Sequence, residues 1–352
     1  MVIKDLVSVI MPVYNRERMI GDAIDSVLSQ SYSNLELIII DDGSTDNTKG
    51  IINRFHDDRI LLIEADHSGA YIARNSGIEN SRGEYIAFLD SDDIWLPEKL
   101  AKQIALVREK PVGLIFTNGF VFTESESEYQ MRPFLMQPYL SGDSGRYRGK
   151  RHTELLSGHN YIATSSVMLG RHIINDVGYF LTENRGVLDY ELWLRIARKY
   201  EIDFIEQPLF IYKAHSESLS ADRAARCFDE MYVYRLQEAW CAGDVGRDEQ
   251  KVLKRAISGT VMRLGLTYYN TGKGVTARKY LFKALTSKYI DLLSRVWSLA
   301  CILLPYPVYR RLYTRYTGLR TKLRKVLGDR ITPGGFLEYV VATLLNRIFR
   351  LK

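Results

Sequence analysis

Short apolar runs and amphipathic stretches alternate through the first third of the chain. Leu6 to Met11, Leu35 to Ile40, Ile60 to Ile63, Tyr85 to Leu89 and Val112 to Thr117 are brief and almost wholly apolar. That is the pattern of strands buried on both faces. Between them the apolar positions change to helical spacing. Met19, Ile20, Ala23, Ile24, Val27 and Leu28 mark a helix over 18–28. Further helices are expected from Asp46 or Thr48, either of which can cap, to about Phe55, and over 71–80 and 98–108. Strands alternating with helices at these lengths predict an α/β fold, a mostly parallel sheet covered by helices.

After Asn118 the rhythm breaks. Thr123 to Glu128 (TESESE) and Ser141 to Lys150 read as loop material. Ile162 to Leu169 reads as one more strand, and 187–200 contains a helix with Leu192, Trp193 and Ile196 on one face. From about Ala221 the chain reads as helical. The expected organisation is an α/β domain over 1–220, followed by a helical, basic C-terminal region over 221–352.

With 352 residues, 46% hydrophobic and 26% charged, the chain is globular rather than disordered. Cys227, Cys241 and Cys301 are too few and too scattered for a disulfide framework or a zinc site, which suits a reducing compartment. The N-terminus enters a strand directly, without the charged start and cleavage site of a signal peptide. No stretch reaches the roughly 18 uninterrupted apolar residues of a clear membrane span.

The net charge of +6 is unevenly placed: from Asp291 onward 12 Lys and Arg face 3 Asp and Glu, whereas the first 290 residues balance to −3. The basic stretch includes the apolar run Leu292 to Leu304, the Arg- and Tyr-rich stretch Tyr309 to Lys325, and the apolar-rich segment Phe336 to Phe349. Basic residues interleaved with Trp, Tyr and Leu predict helices lying in the interface of an anionic membrane. The alternative is helical packing on the core or on a second copy, a homo-oligomer. Nucleic acid is not an expected partner, because no binding motif accompanies the charge.

The most informative stretch is GEYIAFLDSDD, Gly83 to Asp93. A buried strand here delivers Asp90, Ser91, Asp92 and Asp93 at its C-terminal end, where ligands sit in open α/β sheets. Carboxylates this close raise each other's pKa unless a cation shares them. Mg2+ or Mn2+ takes such oxygen ligands together with substrate phosphates. An acidic cap for the helix after Pro97 is the plainer reading, but one Asp would suffice for a cap.

Four blocks in order, Ser8 to Asn15 (SVIMPVYN), Asp41 to Asp46 (DDGSTD), Ala73 to Gly77 (ARNSG) and Leu89 to Asp93 (LDSDD), resemble glycosyltransferase family 2. The resemblance covers roughly residues 5–220. It implies the Rossmann-like GT-A fold, with a nucleotide-sugar half over 1–118 and an acceptor half over 119–220. It implies donor contacts from Pro12 and Tyr14 near the nucleobase, Asp42 on the base's N–H, Arg74 on a phosphate or the base, and Asp90 with Ser91. Tyr14 could equally be a core aromatic, and Arg74 a solvated helix residue. Asp90 and Asp92 match the family's DXD pair, so the implied metal ligands are Asp92, Asp90 and His215. Leu188 to Arg195 (LDYELWLR) resembles the acceptor-site acidic motif and makes Asp189 the general base, with Glu191 as the alternative base. Leu188 stands where the family commonly has Glu, and Asp189 could also serve as a helix cap.

The implied function is inverting transfer of a hexosyl or N-acetylhexosaminyl group. The donor would be a nucleoside-diphosphate sugar, with UDP-sugar expected. The acceptor would be a hydroxyl of a glycan or lipid-linked glycan, as in cell-surface polysaccharide synthesis. The expected location is cytoplasmic, peripheral on the inner face of the cell membrane. A sugar-phosphate nucleotidyltransferase would show a Gly-rich phosphate loop where this chain has Pro12-Val13-Tyr14-Asn15. An inactive sugar-nucleotide-binding scaffold is disfavoured by the presence of both the paired carboxylates and Asp189.

Overall fold

β1 (Ile3–Val13) forms the axis of the sheet, because its apolar residues on both faces are covered. In this computed structural model the described residues are 2–124, 129–133, 149–157, 160–183, 186–215, 222–240, 247–290, 292–303 and 311. β1 pairs in parallel with β2 (Leu35–Asp41) on one side and β4 (Gly83–Phe88) on the other, and β2 pairs with β3 (Ile60–Glu64). α1 (Ile20–Leu28), α2 (Thr48–Ile52) and α3 (Ala70–Asn80) make the connections. α2 starts where Asp46 Oδ1 accepts from the Thr48 amide at 3.0 Å, and it ends at Ile52, short of the expected Phe55. α3 packs very close to the sheet at Gly77. A Cβ there would sit 2.5 Å from Ile10 Cγ2 and 2.7 Å from Ile40 Cδ1, so a larger residue would push the helix away.

The second half of the sheet, β5 (Ile94–Trp95), β6 (Leu114–Glu124), β7 (Tyr129–Pro133), β8 (Met168–Gly170) and β9 (Ile202–Ala214), is mixed, with overall order β3-β2-β1-β4-β8-β6-β9-β5 and β7 added on β6. β8 is antiparallel to β4, and β6 is antiparallel to β8 but parallel to β9. β5 pairs antiparallel with β9, and β7 with β6. α4 (Lys99–Glu109) joins β5 to β6. β6 runs on past Asn118, where the apolar pattern breaks, because it gains partners on both edges. The strand expected over Ile162 to Leu169 is reduced to β8. Thr164–Ser166 is a 3-10 turn instead, with Ser166 Oγ bonded back to the Ala163 carbonyl at 2.6 Å. Hydroxyl side chains that bond local backbone in this way compete with ladder formation.

The remaining helices are α5 (His152–Leu156), α6 (Arg171–Val177), α7 (Leu188–Lys199), α8 (Arg223–Trp240), α9 (Arg247–Asn270), α10 (Gly274–Leu285) and α11 (Leu292–Leu303). The chain divides into two compact units, Met1–Leu253 and Lys254–Lys352. The first holds the sheet and its core. The second has its own small core of Tyr269, Ala277, Leu281 and Cys301. Cys227 and Cys301 are buried, and Cys241 lies outside the described residues. No described helix is long and apolar enough to cross a membrane. Of the tail stretches, Tyr309 to Lys325 (Arg311 apart) and Phe336 to Phe349 lie outside the described residues.

Candidate active site

Parallel pairing brings the C-terminal ends of β1, β2 and β4 to one edge, with β1 between a β2 branch and a β4 branch. This is the switch point where open α/β sheets hold ligands. Pro12 is buried in β1 opposite Ile40. The β1–β4 ladder ends at Ile10 and Phe88, so the amide that Pro12 lacks is not missed on that side. β1 then turns out through Asn15, at φ +50°, whose Oδ1 accepts from the Thr45 amide at 2.8 Å. β2 ends in Asp41 and Asp42. Asp41 Oδ1 accepts from the Ser44 amide at 2.9 Å around Gly43, whose φ of +78° suits glycine.

Asp42 is buried, and its carboxylate accepts from the amides of Ser68 at 2.8 Å and Gly69 at 2.9 Å. His67 Nδ1 lies 3.2 Å from the same carboxylate. Tyr14 is not a core aromatic. It is 38% exposed and stacks on the His67 ring with centroids 4.0 Å apart. Tyr14, His67 and Asp42 therefore form one patch at the strand ends, flat and aromatic above and anionic below. His67 was not legible in the sequence, because a lone His between two Asp- and Ser-containing turns carries no pattern.

The turn after β4 gathers the acids. Oxygens of Asp90, Asp92 and Asp93 all lie within 4.8 Å of one another. Asp90 Oδ1 accepts from Arg74 at 2.5 Å, and Asp92 Oδ2 lies 2.8 Å from His215 Nε2 and 3.7 Å from Arg16 Nε. Ser91 is buried beside them. Asp93 is buried too and is held by Ser165 Oγ at 2.5 Å and the Lys213 amide at 3.1 Å. Burial pushes the Asp93 carboxyl well above the usual carboxylate range, and the charges of Asp92 and Asp90 push it further. Three oxygen-bearing acids whose mutual repulsion is only partly offset fit a hard divalent cation. Asp90 and Asp92, both partly exposed, are placed to hold it, with Asp93 fixed behind them.

Arg74 is not a solvated helix residue. It is 5% exposed, with its guanidinium 5.0 Å from the Tyr71 ring centroid and 5.9 Å from that of Phe180. Its hydrogen bond goes to Asp90, and its charge also acts on Asp189, where it offsets part of the effect of burial.

Asp189 lies in the first turn of α7, where its Oδ1 accepts from the Tyr190 amide at 2.7 Å, but the cap position is Val187, so Asp189 does not cap the helix. Its Oδ2 accepts from Thr164 Oγ1 at 2.9 Å and faces Asn160 Nδ2 at 3.4 Å. Burial raises the Asp189 carboxyl above the usual range, against the opposing pull of Arg74 and Thr164. The neighbour of Thr164, Ser165, donates to Asp93 and accepts from the Asp90 amide at 3.1 Å. One 3-10 turn thus holds the candidate base with one hydroxyl and the metal-type acids with the next. The turn is braced from below: Trp95 Nε1 donates to the Ser165 carbonyl at 2.7 Å, and Gln103 Nε2 to the Ser166 carbonyl at 3.0 Å. Lys99, fully buried, bonds Gln103 at 2.8 Å and sits 3.9 Å over the Trp95 ring.

Glu191, the alternative base, is ruled out by its surroundings. It is fully buried and bonded by Arg195 Nε at 2.8 Å, while Arg195 also donates to the carbonyls of Val177 and Tyr179. This is a structural tie between α7 and the end of α6. Arg195→Ala should lower stability by about 3–5 kcal/mol in urea unfolding, because it strands a buried carboxylate. The motif therefore splits, with Asp189 at the site and Glu191 in the core.

The sheet thus carries acids at its switch point and a further carboxylate in the first turn of α7. Residues 8–176 match the family described as Glycosyl transferase family 2. The UDP-Glc:alpha-D-GlcNAc-diphosphoundecaprenol beta-1,3-glucosyltransferase WfgD of Escherichia coli is 32% identical over 221 residues, 62% of this chain and 81% of the relative. TuaG of Bacillus subtilis (strain 168), provisionally named a teichuronic acid biosynthesis glycosyltransferase, is 30% identical, across 68% of this chain and 93% of the relative. Among solved structures, S. aureus TarS in complex with UDP-GlcNAc superposes with a TM-score of 0.58 at 14% identity, covering 88% of this chain and 91% of that one. The mannosyltransferase PcManGT from Pyrobaculum calidifontis, in complex with GDP-Man and Mn2+, gives 0.57 at 20% identity, covering 92% and 88%. The chain belongs to glycosyltransferase family 2 and is a glycosyltransferase.

Proposed function

We propose that the protein is an inverting transferase that moves a hexosyl or N-acetylhexosaminyl group from a UDP-sugar to a hydroxyl of a lipid-linked glycan. The setting is cell-surface polysaccharide synthesis at the cytoplasmic face of the membrane, with peripheral contact through the C-terminal region. The observation that carries this reading is the Thr164–Ser165 turn, which ties a raised-pKa carboxylate to a cation-type acid cluster. The name of the E. coli relative supports the UDP donor and the lipid-linked acceptor, and that of the B. subtilis relative supports polysaccharide synthesis.

The nucleobase lies against Tyr14 and His67, with Asp42 accepting its N–H. The diphosphate lies at Asp90 and Asp92, which with His215 would hold Mn2+ or Mg2+. Such a cation supplies charge stabilisation for the departing diphosphate. The free lone pairs of Asp189 take the proton of the acceptor hydroxyl as its oxygen bonds to the anomeric carbon. The bond from that carbon to the donor phosphate breaks on the opposite face. The anomeric configuration therefore inverts, and the proton stays on Asp189 until solvent removes it.

A base must be ionised, and Asp189 sits above the usual range, so kcat/KM should fall on the acid side at higher pH than an ordinary Asp would dictate. Thr164 donates to the anion and so favours it. Thr164→Val should move that acid limb to still higher pH and cost roughly tenfold in kcat/KM. Thr164→Ser should restore both, and rate-against-pH profiles of the three proteins check this.

The reaction itself is tested by a panel of UDP-, GDP- and dTDP-sugars, each with Mn2+, Mg2+ or EDTA. Turnover of one UDP-sugar that EDTA abolishes is expected. Failure to bind any donor, with or without metal, would overturn the enzymatic reading of the site.

A further inference from the structure

Charge is divided between the two units more sharply than on either side of Asp291. Residues 1–253 carry 28 Lys and Arg against 39 Asp and Glu, a balance of −11, whereas residues 254–352 carry 20 against 3, a balance of +17. From Lys254 to Ile290 there is no acidic residue at all.

Within this unit α10 is sorted into two faces. Ala277, Leu281 and Ala284 are buried on one. On the other, Val275 and Phe282 are 86% and 61% exposed, two turns apart along a single line of the helix. Arg278 flanks that line on one side and Lys279 and Lys283 on the other, and all three are exposed. An apolar centre between basic flanks is the arrangement of a helix that lies in a membrane interface.

We propose that this face of α10 docks on an anionic lipid bilayer. Val275 and Phe282 enter the boundary between headgroups and acyl chains, and Arg278, Lys279 and Lys283 meet lipid phosphates. The inference rests on the lipid-linked acceptor reading for its biological reason, and on charge for its choice of partner. Residues 304–352, with 11 Lys and Arg against 2 acids, and the same basic face of a second copy both lack the negative charge that would complement this face. A nucleic acid would satisfy the charge but leave Val275 and Phe282 in water, without the array of aromatics that stacks bases.

The test is co-sedimentation of the full chain with vesicles of phosphatidylcholine alone, or with roughly a third phosphatidylglycerol, at low and high salt. Binding to the anionic vesicles only, weakening with salt, is expected. Val275→Glu with Phe282→Glu should reduce it by at least about tenfold, and Lys279→Ala with Lys283→Ala by about tenfold. Hydrolysis of the UDP-sugar and the helical circular dichroism should stay at wild-type values in both variants. The alanine pair keeps the test intact if the glutamate pair disturbs the helices.

Wild-type vesicle binding by both variants would overturn the inference while leaving peripheral attachment in place elsewhere on the chain. Absence of vesicle binding by the wild type would overturn both. Light scattering that shows a dimer dissolved by Phe282→Glu, with vesicle binding unchanged, would assign the face to a second copy and overturn the inference.

Discussion

Asp189→Asn should lower kcat by about 10²–10⁴ while leaving the dissociation constant of the donor within a few-fold of wild type. Asn keeps the size of the side chain and an oxygen that can accept from Thr164 Oγ1, so the turn that carries Ser165 keeps its place. The ability to take a proton is lost, together with the acceptor that faces the Tyr190 amide. The sign of the stability change separates this from a structural defect. The folded-state pKa of Asp189 is raised by burial, so its ionised form costs stability once the pH exceeds the unfolded value, and the cost is fully present above the folded value. The Asn variant should therefore unfold at a urea concentration no lower than wild type at neutral pH. Near-wild-type turnover by this variant would remove Asp189 from the mechanism.

Asp92→Ala should cost about 10²–10³ in kcat/KM, with weakened donor binding, and EDTA should do the same to the wild type. Two things are lost together: an oxygen of the acid cluster and the partner of His215 at 2.8 Å. The fold should survive, because Asp92 adds to the like-charge repulsion that raises buried Asp93, and its removal relieves that repulsion. Donor titration by calorimetry with and without Mn2+ separates the outcomes. Loss of metal-dependent donor affinity with an unchanged unfolding midpoint is expected. Donor binding that is equally tight and equally metal-dependent in the variant would move the cation site away from these acids.

The parts of this molecule that could be read from its sequence are those set by local pattern. The runs at Leu6, Leu35 and Tyr85 are largely buried, so each reads as a strand, and the acids after the second and third mark the candidate site. Tertiary context decided the rest. β6 continues through Asn118 to Glu124 because β7 and β9 pair with it, although the run has lost its apolar continuity. Thr164 and Ser165 looked like part of a strand, yet their hydroxyls hold Asp189 and Asp93, partners 25 and 72 residues away. Arg74 has the helix spacing of the buried face of Tyr71 and Ile78, but as an Arg it reads as solvated, and only the packing of Tyr71 and Phe180 around it shows that it is buried against Asp90. Glu191 and Asp189 are equivalent as letters two positions apart. The helical turn between them sends one into the core and the other to the site.

The stereochemistry of transfer tests the central claim most directly. A single displacement with Asp189 as base requires that an α-linked UDP-sugar yield a β-linked product. Anomeric proton couplings in the NMR spectrum of the product, formed on a GlcNAc-diphospho-lipid acceptor, report this. A β-anomer from the wild type, with no product from Asp189→Asn in the same time, is the predicted result. An α-anomer would contradict it, since retention needs a different arrangement of groups from a lone carboxylate held by Thr164.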